Sequence, residues 1–161
     1  MALRLSHMGK ELLTDWEGFE LRVYLDVAGL ETIGVGHLIT AEEKTAGEIV
    51  INTLPVSYQD GLDREQVVDL LGQDVSRFET AVGRAVAYPL EQHQFDALVS
   101  FSFNVGIAAF RSSTLVRLLN QDQPETVPAQ LRRWVRAGGK VSAGLVNRRE
   151  NEIRLWSGGF H

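Results

Sequence analysis

Residues 17–40 read EGFELRVYLDVAGLETIGVGHLIT, and this stretch decides the fold. From Arg22 to Ile39 the residues are β-branched and aromatic, broken by glycines, which is the pattern of short strands. Turns are expected near Ala28-Gly29 and across Gly34 to Gly36, where glycine gives the backbone the freedom a tight reversal needs. The stretch therefore reads as a short, twisted β-meander. Ahead of it, Ser6 can cap a helix running to about Glu17, with Leu12, Leu13 and Trp16 at helical spacing and Gly18 as its stop.

Working outward, residues 41–61 form a long connection, of which 47–61 (GEIVINTLPVSYQDG) reads as a second small hairpin or an irregular loop. Asp63 then caps a long helix, with Gln66 completing a capping box. Val67, Leu71, Val75, Phe78 and Val82 form one apolar stripe, and Pro89 closes the region. Helices are expected over 91–104, 112–120, 125–136 and 142–156, separated by Gly106, Pro124 and Ala137-Gly138-Gly139. Strands early and helices late make the chain α+β. A small mixed N-terminal lobe (about 14–62) is joined by a long linking helix (about 63–86) to a larger helical lobe (about 87–161 plus the first helix). Nothing in the composition divides residues 1–161 into separate domains.

Composition narrows the chemistry. The 161 residues include no cysteine, which removes disulfide scaffolds, zinc ribbons and thiol nucleophiles. His7, His37, His93 and His161 are scattered with no HExxH, so neither a metal nor a cofactor is expected. No run reaches the roughly 18 apolar residues of a membrane span. The start MALRLSHMGKELL has no secretory h-region, so the chain reads as one made in the cytoplasm. The net charge of −5 conceals a division: residues 1–110 hold 7 basic and 17 acidic groups, residues 111–161 hold 9 and 4. Thirteen of the sixteen cations are arginine, which suits carboxylates and polyanions, so the C-terminal third faces an anionic substrate, the acidic N-terminal part, or only solvent. Nucleic acid is not expected of so acidic a chain without a recognised module. Gly34-Val35-Gly36 is too short for a dinucleotide fingerprint, and Ser112, Ser113 and Thr114 have no neighbouring His/Asp partner for serine hydrolysis.

Glycoside hydrolysis requires two carboxyl groups flanking the bond, one to donate a proton and one to activate water or stabilise positive charge. Glu17 at a helix end, Asp26 nine residues later in the hairpin and Thr32 on the returning strand can surround one cavity without a long loop. The order Glu, eight residues, Asp, five residues, Thr, then Ile33-Gly34-Val35-Gly36-His37 closely resembles the phage-type lysozymes, the endolysins of glycoside hydrolase family 24. FNVG at 103–106, Ser-Thr-Leu at 113–115, Trp134 and GLVNRRENE at 144–152 extend the resemblance over nearly the whole chain.

The resemblance implies a lysozyme-like fold and a muramidase that cuts the β-1,4 bond from N-acetylmuramic acid to N-acetylglucosamine in peptidoglycan. Glu17 would be the general acid, Asp26 would position water or stabilise the transition state, and Thr32 would hydrogen-bond that water. Leu38, Phe103 and Thr114 match sugar-cleft positions, though Leu38 and Phe103 also suit a plain core. His37 is expected to pair with Asp74 as a structural contact. Arg148 is expected to reach the acid, with Arg149 as the alternative and a solvated helix face as the bland reading. The resemblance further implies a monomer that waits in the host cytoplasm for a holin and then acts on periplasmic peptidoglycan, without stable membrane insertion. The 41–61 connection is longer than in the shortest members and is expected to tune substrate access. Inverting or retaining stereochemistry stays open, as do two other classes: a lytic transglycosylase, against which Asp26 and Thr32 argue, and a non-catalytic sugar-binding module, against which Glu17 argues.

Overall fold

The computed structural model describes residues 2–160; Met1 and His161, the latter one of the four histidines noted above, lie outside it. The fold is α+β, and the chain divides into two compact units. One, the sheet unit, runs from Lys10 to Ser76. The other, the helical unit, holds the N-terminal segment through Gly9 and everything from Arg77 onward. The first helix, α1 (His7–Glu17), thus begins in one unit and ends in the other.

The sheet unit contains the meander as an antiparallel sheet, β1 (Glu20–Leu25), β2 (Glu31–Gly34) and β3 (His37–Leu38), in that order. Its register pairs Thr32 with Tyr24 on one side and with Leu38 on the other, so Thr32 sits on the central strand. The connection after β3 is more regular than expected. Thr40 caps a short helix, α2 (Ala41–Ala46), in a reciprocal capping box with Glu43. A hairpin follows, β4 (Glu48–Ile51) and β5 (Leu54–Ser57), turning on Asn52 and Thr53, both at positive φ. The expected box of Asp63 and Gln66 opens α3 (Arg64–Asp74). Buried Val67, Val68, Leu70 and Leu71 from α3 meet Ile33, Ile49 and Ile51 of the strands, and this apolar layer is the unit's core.

Where one helix over 63–86 was expected, there are two. Val75 follows α3 with ψ of −3°, which tightens the turn, and α4 (Ser76–Ala85) starts anew, all but its first residue belonging to the helical unit. No proline marks this interruption, and the nearest glycine, Gly72, lies inside the last turn of α3.

The helical unit is organised around α5 (Gln92–Val105), buried at every position from Phe95 to Ser102. Around it lie α6 (Ile107–Arg111), α7 (Thr114–Asn120), α8 (Val127–Leu131) and α9 (Ala143–Trp156). Phe101 meets Trp134 and Phe110 edge-on, at ring-centroid distances of 5.5 and 6.1 Å. Two expectations need correction. The helix placed at 112–120 begins at Thr114, because Ser113 caps it and α6 ends at Arg111. The helix placed at 125–136 ends at Leu131, because Gly138 and Gly139, both at positive φ, turn a hairpin instead. That hairpin pairs β6 (Arg136–Ala137) with β7 (Lys140–Val141), which takes Arg136 out of any helix.

Candidate active site

Glu17 is the last residue of α1 and is half-buried. The helix stops behind it because Gly18 adopts φ of +80° and returns its N–H to Thr14 O at 3.0 Å. Two residues later the chain enters β1, whose far end delivers Asp26.

Asp26 is held by its own loop. Its Oδ1 accepts the backbone N–H groups of Ala28 and Leu30, each at 2.9 Å. Asp26 N–H donates to Leu30 O at 2.9 Å, and Thr32 Oγ1 donates to the same carbonyl at 2.9 Å. The main chain of Leu30 therefore clamps both side chains: its N–H fixes the carboxylate and its C=O fixes the hydroxyl. Sequence reading missed Leu30, because its contribution is entirely backbone and leaves no side-chain signal. The consequence is an oriented pair of acceptors. Asp26 Oδ2 takes no hydrogen bond among the described residues. Thr32 is buried and has already committed its proton, so its hydroxyl offers a further partner only lone pairs.

On β3, His37 stands between two carboxylates. Nδ1 lies 2.8 Å from Asp74 Oδ2 on α3, and Nε2 lies 2.9 Å from Glu43 Oε1 on α2. Burial works against a charged ring, but the hydrogen bonds and charges of Asp74 and Glu43 outweigh it and lift the imidazole to about 9. The second carboxylate, Glu43, was not anticipated, although Thr40-Ala41-Glu42-Glu43 carried a legible capping box. Leu38 beside His37 is half-exposed.

These six residues, Glu17, Asp26, Thr32, His37, Leu38 and Asp74, belong to the sheet unit; Phe103, Thr114 and Arg148 belong to the helical unit. Phe103 sits in the last turn of α5, its ring 5.0 Å from that of Phe78. Thr114 is the first residue of α7, while the adjoining Ser113 provides the cap. Arg148 is buried, so the solvated-face reading falls. Its Nε lies 3.1 Å from Glu152 Oε2, and its Nη2 donates to Ser100 O at 3.2 Å. Arg149, fully buried over the Phe101 ring, meets the other oxygen of Glu152 at 2.8 Å and donates to Asn104 at 2.5 Å. Glu152 thus serves two arginines at once; the signal was its spacing of four and three residues from them. Among the described residues no group of three or more His, Asp or Glu side chains is arranged to hold a metal ion.

Comparison with known proteins covers both units. The phage lysozyme family model matches residues 14–152. The endolysin of Bacillus phage PZA is 37% identical over 159 residues, 98% of this chain and 56% of that protein, so the chain spans about half its length. The endolysin of Salmonella phage P22 is 34% identical over 154 residues, 96% of this chain and 98% of that protein. A crystal structure of a P22 lysozyme mutant superposes with a TM-score of 0.81 at 31% identity, covering 96% of this chain and 99% of that one. Since the family model runs from ahead of Glu17 to Glu152 and takes in every residue placed above, the chain belongs to the phage lysozyme family.

Proposed function

We propose that the chain is an endolysin-type muramidase, a glycoside hydrolase that cleaves the β-1,4 bond between N-acetylmuramic acid and N-acetylglucosamine in peptidoglycan and so lyses the host cell. Family membership supports the substrate class, and the Leu30 clamp is the observation that carries the chemistry. A water molecule has two protons to donate. Asp26 Oδ2 and Thr32 Oγ1 are two acceptors whose side chains are both held by the main chain of one residue, Leu30. A water donating to both has its lone pair directed away from them, toward an anomeric carbon, and needs no reorganisation when charge develops. Glu17 is the general acid, donating its proton to the departing glycosidic oxygen as the oxocarbenium-like transition state forms. Asp26 then receives the proton of the attacking water. Leu38, Phe103 and Thr114 are read as sugar contacts, Arg148 as a supporting cation, and His37 with Asp74 as scaffold.

The whole of 1–161 is read as one lysozyme-like domain acting as a monomer. No described helix is long and apolar enough to cross a membrane. A holin is the proposed release partner, carrying the enzyme from the host cytoplasm to periplasmic peptidoglycan. The decisive experiment is turbidity loss of chloroform-treated Gram-negative cells, wild type against Glu17→Gln. General acid catalysis contributes about 10²- to 10⁴-fold, so the variant should fall to background while keeping its fold. Near-normal lysis by folded Glu17→Gln would overturn the assignment. An anhydro sugar among the products, read by mass spectrometry, would replace hydrolysis with transglycosylation.

A further inference from the structure

We propose that the helical unit carries a phosphate-binding site lined by Arg84, Arg111 and Arg117. The three line one cavity of about 560 Å³ where the end of α4, the end of α6 and one face of α7 meet. No acidic residue lines it. None of the three guanidiniums pairs with a carboxylate among the described residues, unlike Arg4, Arg64, Arg132, Arg148 and Arg149, and of the arginines without such a pair these three share one cavity.

The uncharged polar groups of the cavity are already engaged, and they fix its walls. Asn120 accepts Ala87 N–H and donates to Ala85 O, each at 2.8 Å, tying α7 to the end of α4. Ser113 donates to Phe110 O at 2.6 Å and accepts Val116 N–H at 3.2 Å. Ser112 donates to Ala108 O at 3.0 Å. What remains unmatched is three positive forks, each with up to five N–H donors. Each of the three lies in the last turn of its own helix, Arg84 of α4, Arg111 of α6 and Arg117 of α7, so three carbonyl ends offset part of the charge, but no carboxylate does. A monocarboxylate satisfies one fork. A phosphate dianion has enough terminal oxygens for all three and neutralises most of the charge. The shared chemistry is a phosphoryl oxyanion, from a free ion or from the phosphodiester of a wall polymer.

The site does not rest on the muramidase reading, because binding is measured without hydrolysis. The full chain, ¹⁵N-labelled, is titrated at constant ionic strength with inorganic phosphate, pyrophosphate, poly(glycerol phosphate) and acetate. Saturable shifts are expected at the amides of Ser112 to Asn120 with the phosphates, and weaker ones with acetate. In Arg84→Gln/Arg117→Gln, removal of two charge-assisted contacts should weaken binding about tenfold or more. If that double variant loses spectral dispersion, Arg111→Gln carries the same test. Tighter binding of the polymer at equal phosphate concentration assigns the phosphodiester; tighter binding of the small ions assigns free phosphate. Shifts that never saturate, that persist in the folded variant, or that acetate matches would overturn the site.

Discussion

Alkaline pH should remove a defined part of the stability of the sheet unit, and His37 sets how much. Its imidazolium donates to Asp74 and Glu43 at once, joining β3 to α3 and α2. Burial opposes the charge, yet the two carboxylates raise the ring from 6.5 to about 9. Each factor of ten in proton affinity is worth about 1.4 kcal/mol, so the ceiling on this contribution is roughly 3 kcal/mol. Solvent screens the pair, because the side chains of Asp74 and Glu43 are 33% and 19% exposed. About 1–2 kcal/mol is then expected.

The sign follows from where protons are held. Below about pH 6.5 the ring is charged in folded and unfolded chains alike, and the stabilisation is complete. Between 6.5 and about 9 the folded chain holds the extra proton, so stability falls as pH rises. Above that the neutral ring can donate to only one carboxylate. Urea unfolding of wild type and His37→Gln, followed by tryptophan fluorescence, measures this directly. The wild-type advantage should be about 1–2 kcal/mol near pH 6 and should close by about pH 10. Glu43→Gln should retain part of the slope, since Asp74 still holds the ring. A wild-type advantage that is the same at both pH values refutes the reasoning, because packing rather than charge would then carry it.

The Leu30 clamp predicts a contrast: Leu30→Ala should leave lysis almost intact, whereas Leu30→Pro removes the N–H that orients Asp26 and should cost about tenfold or more in turbidity assays. Asp26→Asn should cripple lysis about as much as loss of the acid, and Thr32→Val should do less harm, since only one acceptor disappears. Glu152→Ala leaves two buried guanidiniums without their carboxylate and should lower unfolding stability by about 3–5 kcal/mol, read from the urea midpoint. Replacing residues 41–61 by a glycine turn should change substrate saturation more than the pH profile of turnover, and it should flatten the pH dependence of stability because Glu43 goes with it.

Much of this was legible in the residues, and the exceptions have physical causes. The meander, the caps at Ser6 and Asp63 and the helix over 91–104, found as α5, follow from patterning that the tertiary structure reinforces. The helix drawn over 125–136 failed because Arg132 and Arg133 have good helix propensity, which hairpin pairing of Ala137 with Lys140 outweighs. The break at Val75 is foreshadowed only by Gly72, a weak helix former that α3 nevertheless accommodates. Glu43 shows the opposite case: the box with Thr40 was present in the sequence, but only the fold brings His37 to the same oxygen. Spacing also named Asp26 and Thr32 without saying what holds them, because a carbonyl and an N–H belong to every residue.

The acidic total also misdescribes the field around the molecule. With the unit boundaries known, the sheet unit has 4 basic and 14 acidic groups, while the helical unit has 12 and 7. Within the helical unit several acids are committed inward. Glu79 accepts Leu5 N–H at 2.6 Å, and Asp96 accepts both the N–H and the hydroxyl of Ser6, which anchors the N-terminal segment. Glu152 is enclosed by Arg148 and Arg149. These carboxylates are buried because each meets donors, as buried charge requires, and they are therefore unavailable to the surface. The outward excess of arginine is left without local counter-charge, most clearly at Arg84, Arg111 and Arg117. A chain that is anionic as a whole thus presents a cationic helical unit, and an anionic ligand meets that local field rather than the net charge.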